Sequence, residues 1–500
     1  MDSQKQFALR INCGSDEDYT DTQGRKWVPD IGFGSGPVVN HGPIDIARTT
    51  DSTKYRTERQ GGGPGVYNIE IPNGTYYVIF HFAENNMRVT WPKHRLFDIY
   101  VQGERIPDID IFGDTGGWSR AMTRKIRVSV TNSSMWITYT HNAWFPAVVN
   151  GIEILSDDYE QPGIPVVSPK QLLAVNGDGI TLLKWSTAQG ADCYNIKRKS
   201  SGEYEFAAIA NGIFGNKYVD RNLTNGQKYE YAVSAVYQGV ESENSPETDA
   251  CPQKAELQPY GHLPENIELG VGQGINMKFV LIPPGQFVMG SPAWEKGRVR
   301  DEEQHMVTIT KPFYMGIYEV TQEQYEAVMG YNPSHPINLG KKKPVDTIRQ
   351  SEAVEFCRKL SGITGRKLRL PTEAEFEYAA RGGSSDAFFF GNDGGMLKEY
   401  CWGLHDRRIS HEVGLLKPNP FGLYDIIGNV WEWVSDWYKY EYENDEINGI
   451  DPVGPDNTGL LICRGGCSFN GPELQRCAAR HMQDPRYRDN ALGMRVVMEA

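Results

Sequence analysis

The chain has 500 residues, of which 39% are hydrophobic and 11% aromatic, and at about 150 residues per domain this length predicts about three domains. Its 51 Lys and Arg against 64 Asp and Glu give a formal net charge of −13, which argues against nucleic acid or an anionic membrane surface as a partner. The chain contains no run of about 18 apolar residues, so no membrane span is predicted. The start MDSQKQFALR lacks the apolar core of a signal peptide. The eight cysteines have neither the density nor the spacing of a disulfide framework or a zinc site.

Residues 1–158 are predicted to form an all-β sandwich. Stretches such as TYYVIFHFAE and RLFDIYVQG alternate or run apolar, Gly, Asn and Asp separate them, and nothing helical interrupts. The ordered series LRINCG, KYRTER, TYYVIFHFAE, RLFDIYVQG and NGIEIL resembles the malectin-type carbohydrate-binding domain. That resemblance implies a sandwich whose tip binds a sugar through aromatic rings and an aspartate.

The sugar-binding pattern of that family is only partly present. Tyr55 matches one of its tyrosines, Asn86 and Met87 replace its aromatic pair, and Trp144 stands where it has an aspartate. Aromatic rings stack on the C–H faces of sugars, whereas sugar hydroxyls need polar partners. A structural or protein-docking sandwich, with Tyr67 in its core, is the alternative. The candidate carbohydrate-binding residues are Tyr55, Tyr67, Asn86, Trp91, Trp144 and Phe145.

Residues 163–252 are predicted to form a second all-β sandwich after the stiff, Pro-containing linker DDYEQPGIPVVSP. The pieces ITLLKW, GADCYNIKR and KYEYAVSAV are strand-like at regular spacing and resemble a fibronectin type III domain. The resemblance implies that Trp185 and Tyr231 are core residues and that the module spaces or docks other domains.

Residues 265–500 are predicted to form an α+β, loop-rich domain, with strands in KFVLIPPGQFVMGS and HMVTITKPFYMGIYEVT. Capping patterns predict three helix starts, the second opening a helix to Leu360 with Val354, Cys357 and Leu360 on one stripe. These starts are Thr321 with Gln324, Ser351, and Thr372 with Glu375.

The stretch FGLYDIIGNVWEWVSDW, from Phe421 to Trp437, is the most distinctive in the chain. In a strand, Trp431 and Trp433 share one face and Glu432 points to the other, where a carboxylate beside a core needs a cation or several donors. Together with LRLPTEAEFEYAARGG, RGGCSF, RCAARH and GMRVV, it resembles the formylglycine-generating-enzyme (sulfatase-modifying factor) family. The resemblance implies an irregular, C-type-lectin-like fold.

The resemblance also implies one structural calcium. Its ligands would be the side chain of Asp425, the carbonyls of Gly428 and Val430, and the acid of Glu432. Oxygen ligands with two carboxylates suit this hard cation. A second family calcium site uses a longer loop than this chain has after Trp402, so one calcium is expected.

Copper is not expected. The family's generators hold a cuprous ion with two cysteines five positions apart, whereas the loop Cys467–Arg476 has one cysteine and Cys463 lies in the strand before it. A single thiolate is a poor cage for monovalent copper, so no catalytic set is predicted and Cys467 is the one thiol candidate. The candidate ligand-binding residues of this domain, whose basic members could hold an anionic group, are Cys467, Phe469, Arg476, His481, Arg486 and Arg488.

These features predict a secreted or cell-surface, carbohydrate-associated binding protein that recognises a glycan or an extracellular protein. Two alternatives stay open. One is an oxygen-dependent enzyme of the formylglycine-generating type, or a divergent oxidase, acting on a protein or sugar. The other is a diversified ligand-binding display protein, since some variable proteins made by diversity-generating retroelements resemble this fold.

Overall fold

The structure, a computed structural model, describes residues 7–21, 24–33, 37–41, 46, 53–61, 65–86, 89, 94–115, 121–141, 145–157, 159, 167–188, 191–237, 240–299, 301–404, 409–439 and 448–500. Contacts divide the chain into two compact units. The first comprises Met1–Leu173, Lys184–Asn216 and Tyr229–Asp249, and the second Ala174–Leu183, Lys217–Lys228 and Ala250–Ala500. Within the described residues, no helix has the length and apolar character needed to cross a bilayer.

The N-terminal domain is built from two four-stranded antiparallel sheets, as its alternating sequence predicts. Inward side chains such as Phe80 and Ile154 from one sheet and Ile99 and Ile137 from the other belong to one apolar core. In spatial order the first sheet is Ala8–Asn12, Gly151–Ser156, Gly74–Ala83 and Ala121–Val130, and the second is Gly65–Glu70, Ser134–His141, Phe97–Val101 and Glu104–Ile109.

Short elements decorate this sandwich. A three-stranded sheet of Ala147–Val149, Thr57–Gly61 and Val38–Asn40 lies beside it, together with the strand pair Tyr19–Thr20 and Lys26–Trp27. The helical pieces are the 3-10 turn Thr53–Tyr55 and the α-helix Ile111–Thr115.

The middle of the chain is all strand, and both predicted core residues, Trp185 and Tyr231, are buried. One sheet orders Leu172–Asn176, Thr181–Trp185 and Lys217–Asp220. The other orders Ala207–Ile213, Cys193–Ser200, Tyr229–Tyr237 and Val240–Asn244, with Thr248–Ala250 also paired to Tyr229–Tyr237.

The C-terminal domain is α+β, with short strands joined by long loops. The strands of its largest sheet are, in spatial order, Asn266–Gly272, Ile275–Ile282, Phe313–Gly316, Val497–Glu499 and Leu368–Arg369. A three-stranded sheet consists of Gly285–Met289, His305–Ile309 and Asn448–Ile450. A four-stranded sheet consists of Arg480–Gln483, Leu461–Arg464, Trp431–Trp437 and Leu492–Met494. The α-helices are Gln322–Met329, Gln350–Thr364 and Glu373–Arg381, and the 3-10 turns are Pro336–Asn338, Gly394–Glu399 and Pro472–Leu474.

Two of the three predicted helix starts are confirmed. Thr321 and Thr372 each close a reciprocal capping box. The start at Ser351 is wrong, because Glu352 accepts the backbone N–H of Arg349 and the helix therefore begins at Gln350. Val354 does not lie on the buried stripe but is 48% exposed.

The strand Trp431–Trp437, here called the central strand, is buried on both faces from Trp431 to Val434. Trp431 and Trp433 join one core cluster, whereas Val434 joins the other. The cation that Glu432 was predicted to need is Arg495, whose guanidinium donates to both carboxylate oxygens at 2.9–3.2 Å. The charged pair thus allows a carboxylate inside a strand with no solvent-facing side at that point.

Further along the central strand, Asp436 is a buried carboxyl at the start of a helix. One of its oxygens accepts the backbone N–H of Glu373 and the hydroxyl of Ser435, both at 2.9 Å. Burial, reinforced by the negative charge of Glu373, raises the pKa of Asp436 to about 7. The folded protein therefore holds this proton more tightly than the unfolded chain does.

Replacing Asp436 with Asn should stabilise the protein at pH 8 and have little effect near pH 4. A carboxyl whose folded pKa is raised gives its full stabilisation below the unfolded pKa of about 4, and loses it as pH rises through about 7. The amide oxygen can accept both hydrogen bonds without ionising. Thermal melts of the two proteins from pH 4 to pH 8 measure the difference.

Asp484→Asn is the control, since the contact with Arg486 lowers the pKa of Asp484 to about 2. Its substitution should give no stabilisation at pH 8. An Asp436→Asn melting temperature that differs from wild type by the same amount at pH 4 and pH 8 contradicts this interpretation of the buried carboxyl.

Candidate functional site

A cleft of about 270 Å³ opens at one end of the central strand. Its walls are brought together by one four-stranded sheet. Leu461–Arg464 pairs antiparallel with the central strand and with Arg480–Gln483, and the central strand pairs in parallel with Leu492–Met494. Its lining residues are Trp431, Cys467, Phe469, His481, Gln483, Tyr487, Asp489, Asn490, Ala491 and Leu492.

The floor of the cleft is a pair of stacked rings. The centroids of Trp431 and His481 are 4.9 Å apart, with an interplanar angle of 26°. Burial lowers the pKa of His481, so its imidazole is neutral at neutral pH, and its Nε2 lies 2.9 Å from the side-chain nitrogen of Gln483. A neutral, aromatic floor favours an apolar or C–H-rich ligand surface over a charged one.

Two further rings form the exposed rim. Phe469 is 38% exposed and Tyr487 is 40% exposed. The Tyr487 hydroxyl donates to a carboxylate oxygen of Asp489 at 2.9 Å, which fixes the direction of that ring. Phe469 was predicted from the sequence, whereas Tyr487 was not, although it lies in the segment DPRYRDN that follows the predicted His481.

Cys467 lines the cleft but is only 3% exposed. Its backbone N–H and its sulfur both contact Oδ1 of Asn470, at 2.9 and 3.1 Å. Burial raises the pKa of the Cys467 thiol to about 12, so the group is a thiol at neutral pH and a poor nucleophile or metal ligand. Cys463 belongs to the buried apolar core and is not among the lining residues of the cleft.

The predicted basic rim is wrong for Arg476. This side chain is buried and pairs with Glu295 and Glu302 at 2.6 Å, so it holds loops together rather than facing a ligand. Arg486 is exposed but pairs with Asp484 at 2.9 Å. Arg488 is also exposed, and neither it nor Arg486 lines the cleft.

Next to the cleft, the carboxylates of Glu319, Asp425 and Glu432 are buried around the guanidinium of Arg495. Glu319 accepts the side-chain N–H of Asn429 and the backbone N–H of Val430, and Asp425 accepts the backbone N–H of Gly414 at 2.7 Å. Burial, with the charges of Asp425 and Glu432 added, raises the pKa of Glu319 well above its ordinary value. Burial likewise raises the pKa of Asp425 to about 6.

This group fits the implied calcium only in part. Oδ1 of Asp425 is buried and has no hydrogen-bond partner among the described residues, as a ligand oxygen awaiting a cation would be. Both oxygens of Glu432, in contrast, face Arg495. In the described part of the chain, no three His, Cys, Asp or Glu side chains cluster closely enough to hold a metal by themselves, so backbone carbonyls such as those of Gly428 and Val430 would have to contribute.

In the N-terminal domain, two of the predicted sugar-stacking rings are buried. Tyr67 is a fully buried core residue whose hydroxyl donates to Asp30 at 2.8 Å. Tyr55 is 2% exposed and its hydroxyl lies 3.3 Å from Nδ1 of His81. Neither ring presents a free face, so the expectation that they stack on a sugar is wrong for this structure.

Of the other four predicted sugar-binding residues, the structure describes two, Asn86 and Phe145. Asn86 and Phe145 are half-buried, and Phe145 packs edge-on against His94 with ring centroids 4.7 Å apart. Trp91 and Trp144 lie outside the described residues.

Comparison with known proteins identifies two domains. Residues 270–500 match the sulfatase-modifying factor enzyme 1-like domain, and residues 7–165 match the malectin domain. The chain is 34% identical over 284 residues to a formylglycine-generating enzyme of Bos taurus, covering 44% of this chain and 74% of that enzyme. It is 30% identical over 257 residues to the serine/threonine-protein kinase pkn1 of Chlamydia pneumoniae, covering 45% of this chain and 38% of the kinase. Among solved structures, it is similar to Treponema denticola variable protein 1, with 28% identity, a TM-score of 0.43, and coverage of 47% of this chain and 100% of that one.

The thiol of Cys467 should resist alkylation in the folded protein. Its pKa of about 12 leaves almost no thiolate at pH 8, and its side chain is buried. Cys193 and Cys251 are partly exposed and should react with iodoacetamide first. Peptide mapping by mass spectrometry, with urea-unfolded protein as the reference for full labelling, measures the order. Labelling of Cys467 as fast as that of Cys193 would show that the cleft holds a reactive thiol.

Proposed function

The chain belongs to the sulfatase-modifying factor (formylglycine-generating enzyme) family through its C-terminal domain, and we propose that it uses this fold to bind a ligand rather than to oxidise a cysteine. The observation that carries the proposal is the composition of the cleft. Rings form its floor and rim, and its one cysteine, Cys467, is buried, protonated and hydrogen-bonded to Asn470. The family's copper chemistry uses two thiolates, and soft thiolate pairs are what select monovalent copper.

The proposed ligand is a glycan or an extracellular protein with an apolar or C–H-rich face. Trp431 and His481 offer a flat, uncharged floor, and Phe469 and Tyr487 add partly exposed rings to the lining. Aromatic rings supply this kind of contact at low entropic cost. The burial of Arg476 in ion pairs with Glu295 and Glu302 argues against an anionic sugar as the ligand, because this guanidinium does not face the cleft.

We propose that the chain as a whole is a secreted, multidomain binding protein. The N-terminal part is a malectin domain, for which we propose glycan binding. For the middle domain we propose a fibronectin type III spacer, supported by one three-stranded sheet and one sheet ordered Ala207–Ile213, Cys193–Ser200, Tyr229–Tyr237 and Val240–Asn244. An oxidase of the formylglycine-generating type remains the second candidate, favoured by the 34% identity to a known enzyme of that name.

We also propose that one calcium is bound beside the cleft. Asp425 would supply its unpartnered oxygen, the carbonyls of Gly428 and Val430 would complete an oxygen-only set, and Glu432 would share its charge between the cation and Arg495. Bound calcium supplies positive charge to a region where three carboxylates face one guanidinium.

Replacing Phe469 or Tyr487 with Ala should weaken ligand binding without unfolding the protein. Each ring is exposed, and the loss of one stacked ring typically costs about 1 kcal/mol, a fivefold weaker Kd. A ligand is first found by screening the full chain on glycan and peptide arrays, and its Kd is then measured by calorimetry. Met482→Ala is the matched control, because Met482 is 45% exposed on the same strand as His481 but does not line the cleft.

Equal weakening by Phe469→Ala and Met482→Ala would place the ligand elsewhere. Turnover of a cysteine-containing peptide by the wild-type chain, lost in Cys467→Ser, would replace the binding proposal with the enzymatic one.

Calcium should raise the melting temperature of the wild-type protein, and chelator should lower it. The shift should disappear in Asp425→Ala, which removes the free carboxylate oxygen, and persist in Asp436→Asn, a buried carboxyl that is engaged by Glu373 and Ser435 and is not a proposed ligand. Scanning calorimetry with and without chelator, together with metal analysis, measures the effect. A folded protein that contains no calcium and melts identically in chelator contradicts the proposal.

A further inference from the structure

The C-terminal domain has a second pocket, of about 180 Å³, at the far end of the central strand from the cleft. Asp436 and Trp437, which end that strand, line the pocket, whereas Trp431, which begins it, lines the cleft. Likewise, Arg480 lines the pocket and its neighbour in the same strand, His481, lines the cleft. Because neighbouring side chains of a strand point to opposite faces, the pocket and the cleft lie on opposite faces of one sheet.

Most of the wall of this pocket is apolar. Met289 and Ala374 are buried, whereas Val453 is 73% exposed, so the pocket runs inward from the surface. An apolar wall favours a ligand whose own surface is apolar. The apolar lining residues are Met289, Ala374, Trp437, Pro452, Val453 and Pro455.

The pocket also contains an open carboxylate oxygen, Oδ1 of Asp436. The side chain is only 4% exposed, and Oδ2 accepts the backbone N–H of Glu373 and the hydroxyl of Ser435. Oδ1 has no hydrogen-bond partner among the described residues and is not one of their sealed, unpaired oxygens, so its accessible side faces the pocket. Gly454, which also lines the pocket, approaches so closely that a Cβ there would lie 2.7 Å from Oδ1.

The charges that act on Asp436 favour a cation at Oδ1. Burial raises the pKa of Asp436, and the nearby charges that raise this pKa further are those of Glu373 and Glu375. The local potential is therefore negative. A cation beside Oδ1 would be attracted by these carboxylates and would replace the proton that Asp436 otherwise holds.

The basic side chains of the lining do not offer an alternative site for an anion. Arg480 donates to both oxygens of Glu373, at 2.7 and 3.0 Å, and Lys439 is likewise engaged. Burial lowers the pKa of His305, so this lining residue is neutral at neutral pH. The open polar contact of the pocket is thus the carboxylate oxygen.

We propose that this pocket binds an alkylammonium group, whose ammonium contacts Oδ1 of Asp436 and whose chain contacts the apolar wall. An ammonium has three donors and no acceptor, and its hydrogen bonds to a carboxylate are about twice as strong as neutral ones. A free amine and a lysine side chain of another protein share this chemistry. The site goes beyond the proposed function, because among the described residues it shares no lining residue with the cleft.

Saturation-transfer NMR on the full chain at pH 8, above the pKa of about 7 of Asp436, tests the proposal. The probes are n-butylammonium, n-butanol and butyrate, which share a short alkyl chain and differ in charge. n-Butylammonium should bind most tightly of the three. Asp436→Asn should weaken its binding about tenfold, because a hydrogen bond between charged groups is lost, and should leave n-butanol binding unchanged. Thermal melts at the same pH establish that the variant is folded.

A peptide arm distinguishes the two sources of the ammonium group. Binding of acetyl-Gly-Lys-Gly-amide, but not of its norleucine counterpart, supports a lysine side chain as the ligand, whereas binding of n-butylammonium alone supports a free amine. Phe469→Ala should leave either interaction unchanged, because Phe469 lines the cleft and not this pocket.

Three results overturn the proposal of an alkylammonium site. They are failure of n-butylammonium to bind, binding of n-butanol or butyrate as tight as that of n-butylammonium, and binding of n-butylammonium to Asp436→Asn as tight as to wild type. Loss of n-butylammonium binding in Phe469→Ala but not in Asp436→Asn would assign the amine to the cleft instead.

Discussion

The C-terminal domain depends on one buried guanidinium, that of Arg495. It donates to both oxygens of Glu432 and to the backbone carbonyls of Gly316, Ile317 and Tyr424. The central strand, the end of the middle strand of the domain's largest sheet and the loop that precedes the central strand are thereby joined at a single side chain. Removing either charge would leave the other buried and unpaired, which typically costs about 3–5 kcal/mol.

The Glu432–Arg495 ion pair also affects the cleft, because Glu432 is adjacent in the chain to Trp431, which lines the cleft. Trp431 precedes Glu432 in the central strand, so the ion pair fixes the position of the ring on which His481 stacks. A second group of buried ion pairs involves the two strands on one side of the central strand in the sheet: Glu377 pairs with Arg381 and Arg464, and Arg480 pairs with Glu373. Several arginines that could have formed a basic ligand surface are therefore part of the scaffold. The cleft is left with rings, amides, the Asp489 carboxylate and one thiol as its polar and aromatic groups.

Much of the fold could be predicted from the sequence, because its signals are local. The capping boxes at Thr321 and Thr372 are reciprocal hydrogen bonds within four residues, and the strand alternation of the N-terminal domain reflects one buried face. The predicted start at Ser351 was wrong because the carboxylate of Glu352 accepts the backbone N–H of Arg349, which places the helix cap two residues earlier.

The candidate site was harder to predict, because its character depends on long-range pairing. Nothing near Arg476 in the sequence indicates that Glu295 and Glu302 neutralise it. Tyr55 and Tyr67 are correct residue types for a sugar site, but their hydroxyls are used inside the domain, by His81 and Asp30. The single cysteine of the loop Cys467–Arg476, in contrast, can be taken from the sequence alone, because it depends on residue identity rather than on folding.

The most direct test of the account is a cuprous-ion competition titration of the full chain against a chromophoric chelator, with oxygen uptake followed in the presence of a cysteine-containing peptide. A single buried thiol with a pKa of about 12 predicts that wild type and Cys467→Ser compete equally weakly and that neither consumes oxygen. Tight cuprous binding by the wild-type chain that Cys467→Ser abolishes, accompanied by oxygen uptake, would contradict the account and identify the cleft as an oxidase site.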